Sequence, residues 1–309
     1  MAQGRGGRAS HVPVSPSGSG SILDALDDLL RALELEPLGD DRFRLTSEPG
    51  RFDRVFGGQL VAQALLAAGV TVGGLEPQSL HAYFVQGGVP GRALEAAVDR
   101  VRAGRTMATR RVTLTQDDRT LLVAMASFHT NPESPALEPA QPGTPPPEEL
   151  PSLQDWARAA PEAIRDRARV WVEQPPPLDV RMGEPPMFLG GEPADRPRSH
   201  WLRLPRSVGD DGLLHAVLLT YASDYLLLDM AVRTHPERIR SYESDASSVD
   251  HSVWIHRPVR FDQWHLYTQE TVAFVGHRGV VQGTLREEGG ALVATVMQEV
   301  LLRPRTRPR

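Results

Sequence analysis

The chain has 309 residues, 40% of them hydrophobic, and a formal net charge of −5 at pH 7. This length holds two domains of ordinary size, and the slightly acidic balance gives no basic face for binding nucleic acid. The chain contains no cysteine, which excludes disulfides, thiolate nucleophiles and cysteine-ligated metal centres. All 34 basic residues are arginine, so the absence of lysine also excludes Schiff-base chemistry and a Walker-type phosphate loop.

Localisation is predicted from the two ends of the chain and from its longest apolar run. Residues 1–20 are rich in Gly, Ser, Pro and Arg and lack the apolar core of a secretory signal. We therefore predict a disordered tail there and a short basic tail over 304–309. The apolar run 213–232 is interrupted by one histidine and two aspartates, which disfavours a membrane span. We expect a cytoplasmic protein that does not bind membranes.

In chain order, the first predicted element is a helix over 22–33, whose apolar positions follow helical spacing behind Ser21 as a cap. A second helix begins at the glycine pair of "FGGQ" (56–59). Four strand-like segments separated by turn residues follow, and the last of them ends at residue 129. A proline-rich linker that includes a helix is predicted over 131–170.

The second half of the chain repeats the first. After the linker, "PLDVRM" and "HWLRLP" are strand-like, and a long apolar helix is predicted over 213–232. "LHAYFVQGG" (80–88) aligns with "DHSVWIHRP" (250–258), and "LVA" recurs at 122–124 and 292–294, both at an offset of about 170 residues. We therefore predict a duplicated α+β unit, in which each antiparallel sheet wraps around one long apolar helix. The predicted N-terminal unit spans 21–130 and the C-terminal unit spans 171–303.

Several separate blocks, in the same order, carry a resemblance to a known family. They are the Gly-Gly-Gln helix start, "SLHAYFVQGG", "YASD" on an apolar helix, "DHSVWIHRP" and a final "QE". Together they make the chain, from about residue 22 to 303, similar to acyl-CoA thioesterase II, the TesB-like family of double-hotdog thioesterases. The resemblance implies two tandem hotdog units and hydrolysis of fatty acyl-CoA to free fatty acid and coenzyme A. It implies no metal and no organic cofactor.

Asp224 lies in the middle of the apolar helix. On a continuous helix its side chain shares a face with mostly apolar neighbours, whereas Asp229 lies on another face. Burying an unpaired carboxylate is costly, so either its pKa rises or hydrogen-bond donors hold it. Such an acid is suited to general-base catalysis, and it is equally suited to pinning a neighbouring loop. The residues alone leave both interpretations open, and the resemblance favours catalysis.

The resemblance implies a catalytic trio of Asp224, Ser248 and Gln298. Many relatives have threonine where this chain has Ser248, and both residues offer a hydroxyl. We expect Asp224 to accept a proton from water, while Ser248 and Gln298 orient that water through hydrogen bonds. At the offset of 170 residues, Gln298 corresponds to Phe128. Ser248 corresponds to Gln78, and Asp224 aligns roughly with Gln63 on the first helix. The first half thus lacks an acid at this place, so we expect one working site per duplicated pair.

The candidate substrate-binding residues are Gly57, Gly58, His81 and Arg105. Backbone N–H groups of the glycine pair are suited to holding an oxyanion. The same pair is suited to tight helix–sheet packing, or to a relic site in the first half. His81 is equally explained as a core or interface hydrogen bonder. Arg105, with three neighbouring arginines, can meet coenzyme A phosphates or lie on a solvated edge.

Two other kinds of site are disfavoured. His251 and His256 lack metal-ligand spacing and no HExxH motif occurs, so we expect no metal site. A nucleophilic Ser248 with His251 as its base is the minority interpretation, because side chains three residues apart on one strand face opposite sides.

Two alternative functions on this fold stay open: an enoyl-thioester hydratase, and a non-catalytic acyl-CoA-binding protein. The hydratase requires a His–Asp arrangement that we do not find in the sequence. The non-catalytic protein would gain stability by replacing a buried acid. We expect acyl-CoA as the substrate. We also expect assembly into a homodimer or homotetramer, because hotdog sheets have edges that partners cover.

Overall fold

The computed structural model describes residues 20–49, 53–132, 136–138, 140, 143–238 and 244–304. The tails predicted over 1–20 and 304–309 lie outside the described residues, apart from one residue at the inner end of each. One antiparallel sheet and six α-helices form the described part of the chain. The helices are α1 (Ile22–Ala32), α2 (Gly57–Gly69), α3 (Leu153–Arg158), α4 (Arg165–Glu173), α5 (Gly212–Ser223) and α6 (Leu227–Arg233).

The sheet has 13 strands. The four strand-like segments predicted before residue 129 are confirmed as β3 to β6, and the two predicted after the linker as β7 and β8. The strands are β1 (Glu36–Gly39), β2 (Arg42–Leu45), β3 (Glu76–Phe84), β4 (Leu94–Ala103), β5 (Met107–Gln116), β6 (Arg119–His129), β7 (Asp179–Met182), β8 (Arg198–Arg203), β9 (Ser244–Ser248), β10 (Asp250–Ile255), β11 (His265–Val275), β12 (Arg278–Glu287) and β13 (Leu292–Pro304).

The strand order shows the duplication directly. Along the sheet it runs β1-β2-β4-β5-β6-β3-β10-β13-β12-β11-β8-β7, with β9 also paired to β13. The order is symmetric about the central β3–β10 pair. Each strand of the first half has a counterpart at the same distance from this pair in the second half. Leu80 lies opposite Val253 and His81 opposite Ser252 across that pair. The predicted duplicated α+β unit is therefore confirmed, and the two units share one continuous sheet.

Helices α2 and α5 form the centre of the fold and run antiparallel. Most residues of both helices are buried, as expected for helices that are apolar on most sides. Glycine permits their close approach at both ends. A Cβ on Gly58 would overlap the carbonyl oxygen of Tyr221, and a Cβ on Gly69 would lie 2.5 Å from Cδ1 of Leu213. The N-terminus of α2 consequently abuts the C-terminus of α5.

The prediction of one continuous helix over 213–232 is wrong. The segment is interrupted between α5 and α6, and Leu226 takes a left-handed conformation with φ of 66°. The segment Gly212–Arg233 is long and apolar enough to cross a membrane by composition alone. In this fold, however, 83% of its most apolar window is buried in the protein interior.

Distant side chains stabilise the interruption by binding the backbone carbonyls that it frees. The Tyr267 hydroxyl donates to the Ser223 carbonyl at 2.6 Å. The Gln269 amide donates to the Tyr225 carbonyl at 2.7 Å. Both side chains come from β11, so the sheet fixes the turn that carries Asp224. A freed helix carbonyl that is buried requires such a partner.

Candidate active site

Asp224 lies where the two halves of the chain meet. It caps the C-terminus of α5 and is 8% exposed. The backbone N–H of Gly58, in the first turn of α2, donates a hydrogen bond to its carboxylate. The partial positive charge of a helix N-terminus favours an anion at this position. Asp224 therefore belongs to the second half, but it is held in part by the first.

Gln298 and Ser248 complete the trio predicted from the sequence. Gln298 projects from β13, and its Nε2 donates to Oδ1 of Asp224 at 2.9 Å. The same nitrogen donates to Oγ of Ser248, the last residue of β9. Because β9 pairs with β13, Ser248 is placed opposite Val300, close to Gln298. The structure thus brings together three side chains that are far apart along the chain.

The environment of Asp224 changes its acidity. Burial raises the pKa of its carboxyl from the ordinary value of 3.8 to about 7, while the hydrogen bonds from Gln298 and Gly58 act in the opposite direction. Desolvation disfavours the charged form, and donors to the carboxylate favour it. A group that titrates near neutrality and can reach a water molecule is suited to act as a general base.

His251 was missed as a member of this site. Its Nδ1 lies 3.4 Å from Oε1 of Gln298 and 4.0 Å from Oδ1 of Asp224. Its Nε2 lies 2.8 Å from Oγ of Ser223. Burial lowers the pKa of the imidazole to about 4, so the ring is neutral near pH 7. The only signal in the sequence was the position of His251, which matches that of His81 in the repeat.

The expectation that Ser248 and His251 face opposite sides of one strand is wrong. The strand is interrupted at Val249, so the two residues belong to separate strands, β9 and β10. Both side chains contact Gln298. The two imidazole nitrogens face Gln298 and Ser223, so neither is placed to serve Ser248 as a base.

A cavity of about 620 Å³ opens beside Asp224 and Ser248, within the usual size range of ligand pockets. Gln298 lies behind these two residues and is not part of the cavity wall. Apolar side chains from both halves form most of the wall. They include Val55, Phe56, Leu60, Phe84, Trp171, Phe188, Leu226, Leu228 and Val232. Asp229, expected on another face, also lines the cavity and pairs with the buried Arg198 at 2.6 Å.

Comparison with known proteins identifies the family. The sequence profile described as "Acyl-CoA thioesterase" matches residues 175–301, and that of the "Acyl-CoA thioesterase N-terminal domain" matches 46–129. Acyl-coenzyme A thioesterase 8 of Mus musculus is 32% identical over 88% of this chain and 87% of its own length. The chain belongs to the acyl-CoA thioesterase II family.

Further relatives agree in sequence and in structure. Acyl-CoA thioesterase 2 of Haemophilus influenzae is 30% identical over 91% of this chain and 98% of its own length. The tesB protein of Mycobacterium avium subsp. paratuberculosis superposes with a TM-score of 0.74 at 30% identity, covering 90% of this chain and 100% of the other. Acyl-CoA thioesterase II TesB2 of Mycobacterium marinum superposes with a TM-score of 0.73 at 31% identity, covering 91% of this chain and 99% of the other. The double-hotdog fold and the acyl-CoA thioesterase activity expected from the sequence are therefore confirmed.

The glycine pair of this acyl-CoA thioesterase divides into two roles. Gly57 lines the cavity, and a Cβ there would lie 2.8 Å from Oδ2 of Asp224. Gly58 instead permits the contact between α2 and α5. Since both glycines lie against Asp224, the suggestion that they belong to a relic site in the first half is wrong. The tight packing is helix against helix at Gly58, whereas Gly57 also lies against the Phe84 ring at the end of β3.

The other two candidate substrate-binding residues of the thioesterase lie away from the cavity. His81 is on the exposed face of β3, where its Nδ1 lies 3.1 Å from Oγ of Ser252 and its ring contacts Trp254. Arg105 is exposed in the turn between β4 and β5. The cavity has one cationic side chain among its described lining residues, and that residue is Arg54. The geometry therefore does not bring His81 or Arg105 together with the trio.

The first half of the thioesterase has no acid at the equivalent place. Asp224 caps the C-terminus of α5, and the residue that caps α2 is Val70. Val70 is thus its counterpart, and the earlier alignment with Gln63 is wrong. Gln63 instead donates to backbone carbonyls at Ala32 and Thr46. Among the described residues, no cluster of three or more His, Asp or Glu side chains is arranged to hold a metal.

Proposed function

We propose that this thioesterase hydrolyses fatty acyl-CoA to free fatty acid and coenzyme A by direct attack of a water molecule that Asp224 deprotonates. The observation that carries the proposal is the position of Asp224. Its carboxylate is buried, has a pKa near neutrality and still forms part of the wall of an apolar cavity. Asp229 also lines the cavity but is paired with Arg198, whereas the hydrogen-bond partners of Asp224 are uncharged.

The two carboxylate oxygens of Asp224 have different surroundings, which supports a specific role for each. Oδ1 accepts a hydrogen bond from Gln298, which holds the carboxylate in place. Oδ2 lies towards Gly57, where the missing side chain leaves space at the cavity wall. In the proposed mechanism the attacking water occupies this space and gives its proton to Oδ2.

Ser248 and Gln298 act at different distances from the reacting atoms. The two amide hydrogens of Gln298 are directed to Asp224 and Ser248. Since the Ser248 oxygen accepts from Gln298, its own hydrogen remains available to donate to the water or to the thioester carbonyl. Ser248 lines the cavity, whereas Gln298 lies behind it. We therefore assign substrate contact to Ser248 and positioning to Gln298.

The remaining charge develops on the thioester carbonyl oxygen. The residue that precedes α2, Phe56, provides no side-chain cap to the first turn, so we assign oxyanion stabilisation to the N–H of Gly57. The water oxygen bonds to the carbonyl carbon, and the carbon–sulfur bond breaks. The proton taken up by Asp224 then passes to the coenzyme A thiolate, which regenerates the base.

The cavity wall suits both parts of the substrate. Its aromatic and aliphatic side chains would hold an acyl chain, and Arg54 is placed to meet a phosphate of coenzyme A. This assignment competes with that of Arg105, which rests on the sequence alone. In kinetic assays, Arg54→Gln should raise KM for acyl-CoA several-fold with little change in kcat. A larger rise in Arg105→Gln would contradict the assignment.

We also propose that the enzyme acts in the cytoplasm as a homodimer or homotetramer. Exposed apolar side chains on the outer face of β3 and β6 support self-association, among them Tyr83, Val123 and Met125. Sedimentation analysis of the wild type and of Tyr83→Arg tests this. A monomeric wild type would contradict it.

The decisive assay for the overall proposal is coenzyme A release from a panel of saturated and enoyl acyl-CoAs. We expect release with saturated substrates and no hydration of enoyl-CoA. Hydroxylamine added during turnover should trap no acyl-enzyme. Hydration of enoyl-CoA without coenzyme A release, or an acyl adduct on Ser248, would contradict the mechanism.

A further inference from the structure

The hydrogen-bond network around Asp224 extends beyond the three residues that the mechanism uses. Behind Gln298 lie His251 and Ser223, both with essentially no exposure to solvent. His251 belongs to β10 and Ser223 to the last turn of α5. Neither lines the cavity, so neither touches the substrate. We infer that Ser223 and His251 are positioning residues, which hold the Gln298 amide in the orientation that presents its N–H groups to Asp224 and Ser248.

The glutamine side chain is nearly symmetric at its amide end. Its amide oxygen and nitrogen are nearly equal in size, so packing alone does not choose between two orientations. In the flipped orientation Oε1 would face the Asp224 carboxylate, and two acceptors would repel each other. A donor placed at Oε1 favours the correct orientation. His251 Nδ1, 3.4 Å from Oε1 of Gln298, is the atom in place to donate.

Ser223 determines which nitrogen of His251 carries the proton. A neutral imidazole has one N–H, so a proton on Nδ1 leaves Nε2 as an acceptor. The Ser223 hydroxyl, 2.8 Å from Nε2, is then the donor. With the proton on Nδ1, donation runs in one direction, from Ser223 to His251, to Gln298 and finally to Asp224. Every member of this series is buried.

The Ser223 hydroxyl has a second acceptor, which couples the series to the charge of Asp224. The hydroxyl can also donate to the carbonyl oxygen of Thr220, which lies 2.7 Å away and can only accept. If the hydroxyl donated there, Nε2 would carry the proton and Nδ1 would become an acceptor. Gln298 would then turn its N–H towards His251 and its oxygen towards Asp224. That arrangement suits only a protonated Asp224, so the direction of donation from Ser223 favours the ionised base.

The test compares variants that remove or keep a donor at the Nδ1 position. His251→Leu removes the donor, and His251→Asn keeps an N–H near the Nδ1 position. We expect His251→Leu to lose about tenfold to a hundredfold in kcat with little change in KM, as for other residues that orient a catalytic group. The half-maximal pH of kcat/KM should rise in the same variant. His251→Asn should retain kcat within about threefold.

A second measurement does not depend on activity or on the folding of His251→Leu. Long-range ¹H–¹⁵N NMR of protein labelled with ¹⁵N-histidine, with the His251 signals assigned through their loss in His251→Asn, reports which ring nitrogen is protonated. We expect the Nδ1–H tautomer in the wild type and a mixture of tautomers in Ser223→Ala. A proton on Nε2 in the wild type would overturn the inference. Wild-type kcat in His251→Leu, or equal losses in the Leu and Asn variants, would also overturn it.

The inference rests on the proposed function of Asp224, and the two can fail separately. Asp224→Asn measured beside these variants distinguishes them. Turnover by Asp224→Asn would refute the proposed base whatever the His251 variants do. An inactive Asp224→Asn together with a fully active His251→Leu would refute only the positioning role.

Discussion

Gln298 donates a hydrogen bond to Asp224 at 2.9 Å although the two residues are 74 positions apart in the sequence. Burial has removed Asp224 from water, and this bond replaces part of the lost hydration of the carboxylate. The bond is partial compensation, since the pKa of Asp224 still rises to about 7. The site therefore holds an acid that changes charge within the working pH range of an enzyme.

The first prediction concerns pH. Asp224 must be ionised to accept a proton, so kcat/KM should rise with pH and reach half its maximum near pH 7. His251, with a pKa of about 4, is already neutral there and should add no further step. A pH profile of acyl-CoA hydrolysis between pH 5 and 9 measures this. A flat profile, or a midpoint near the ordinary value of an aspartate, would contradict the prediction.

The second prediction concerns Asp224→Asn, which should abolish turnover while leaving the fold intact. The pKa of this group is raised in the folded state, so its protonated form stabilises the fold. That stability is fully present below the unfolded value of 3.8 and is lost as pH rises through about 7. The difference between 3.8 and about 7 corresponds to about 4 kcal/mol of folding free energy. An asparagine at position 224 does not ionise, so the variant does not lose this stability as pH rises.

Asp224→Asn should therefore gain stability over the wild type as pH rises, by up to about 4 kcal/mol between pH 4 and pH 8. Urea unfolding of both proteins at the two pH values measures the difference. Asp229→Asn is the matched control, because it breaks a buried ion pair with Arg198 and should destabilise the protein at pH 8. More than a tenth of wild-type turnover in Asp224→Asn would show that the acid is structural.

The third prediction separates Ser248 from Gln298. Ser248→Ala and Gln298→Ala should each lower kcat by about tenfold to a thousandfold, as expected for a positioned donor. Only Gln298→Ala should also raise the midpoint of the pH profile, because it removes a direct donor to Asp224. Gln78→Ala, at the position in the first half that corresponds to Ser248, is the control and should keep wild-type kinetics. Equal kinetics in all three variants would refute the assignment.

The fourth prediction contrasts the two adjacent glycines. A methyl group on Gly57 would lie 2.8 Å from Oδ2 of Asp224 and 3.1 Å from the Phe84 ring, so Gly57→Ala should fill the space proposed for the water. We expect at least about a tenfold loss of kcat with little loss of stability. Gly58→Ala should instead lower stability by about 1–3 kcal/mol, because its methyl group would overlap the Tyr221 carbonyl oxygen. Thermal unfolding and steady-state kinetics of both variants test the contrast. A Gly57→Ala variant that loses stability but keeps kcat would contradict it.

The sequence predicted what depends on local pattern and on internal repetition. The repeat indicated the duplicated sheet, and an acid among apolar residues singled out Asp224. The break in the helix was not predictable locally, because Tyr267 and Gln269 stabilise it from a distant strand. His251 was missed for a related reason, since the interruption at Val249 places it against Gln298.

The sequence and the structure single out different cationic residues, for a physical reason of the same kind. Arg105 belongs to a local cluster of arginines, which a sequence displays directly. Arg54 reaches the cavity only because the segment before α2 folds back against Gly87. Proximity of this kind depends on tertiary contacts. The local sequence pattern around Arg54 therefore does not predict that it lines the cavity.

Direct attack by water is tested best by a single turnover in H₂¹⁸O with enzyme in excess over acyl-CoA. Mass spectrometry then measures ¹⁸O in the released acid and in the peptide that contains Asp224. We predict one labelled oxygen in the acid and none in the peptide, because the attacking oxygen comes from water. Unlabelled acid together with ¹⁸O in Asp224 would show that the carboxylate itself attacks the thioester, and would contradict its role as a base.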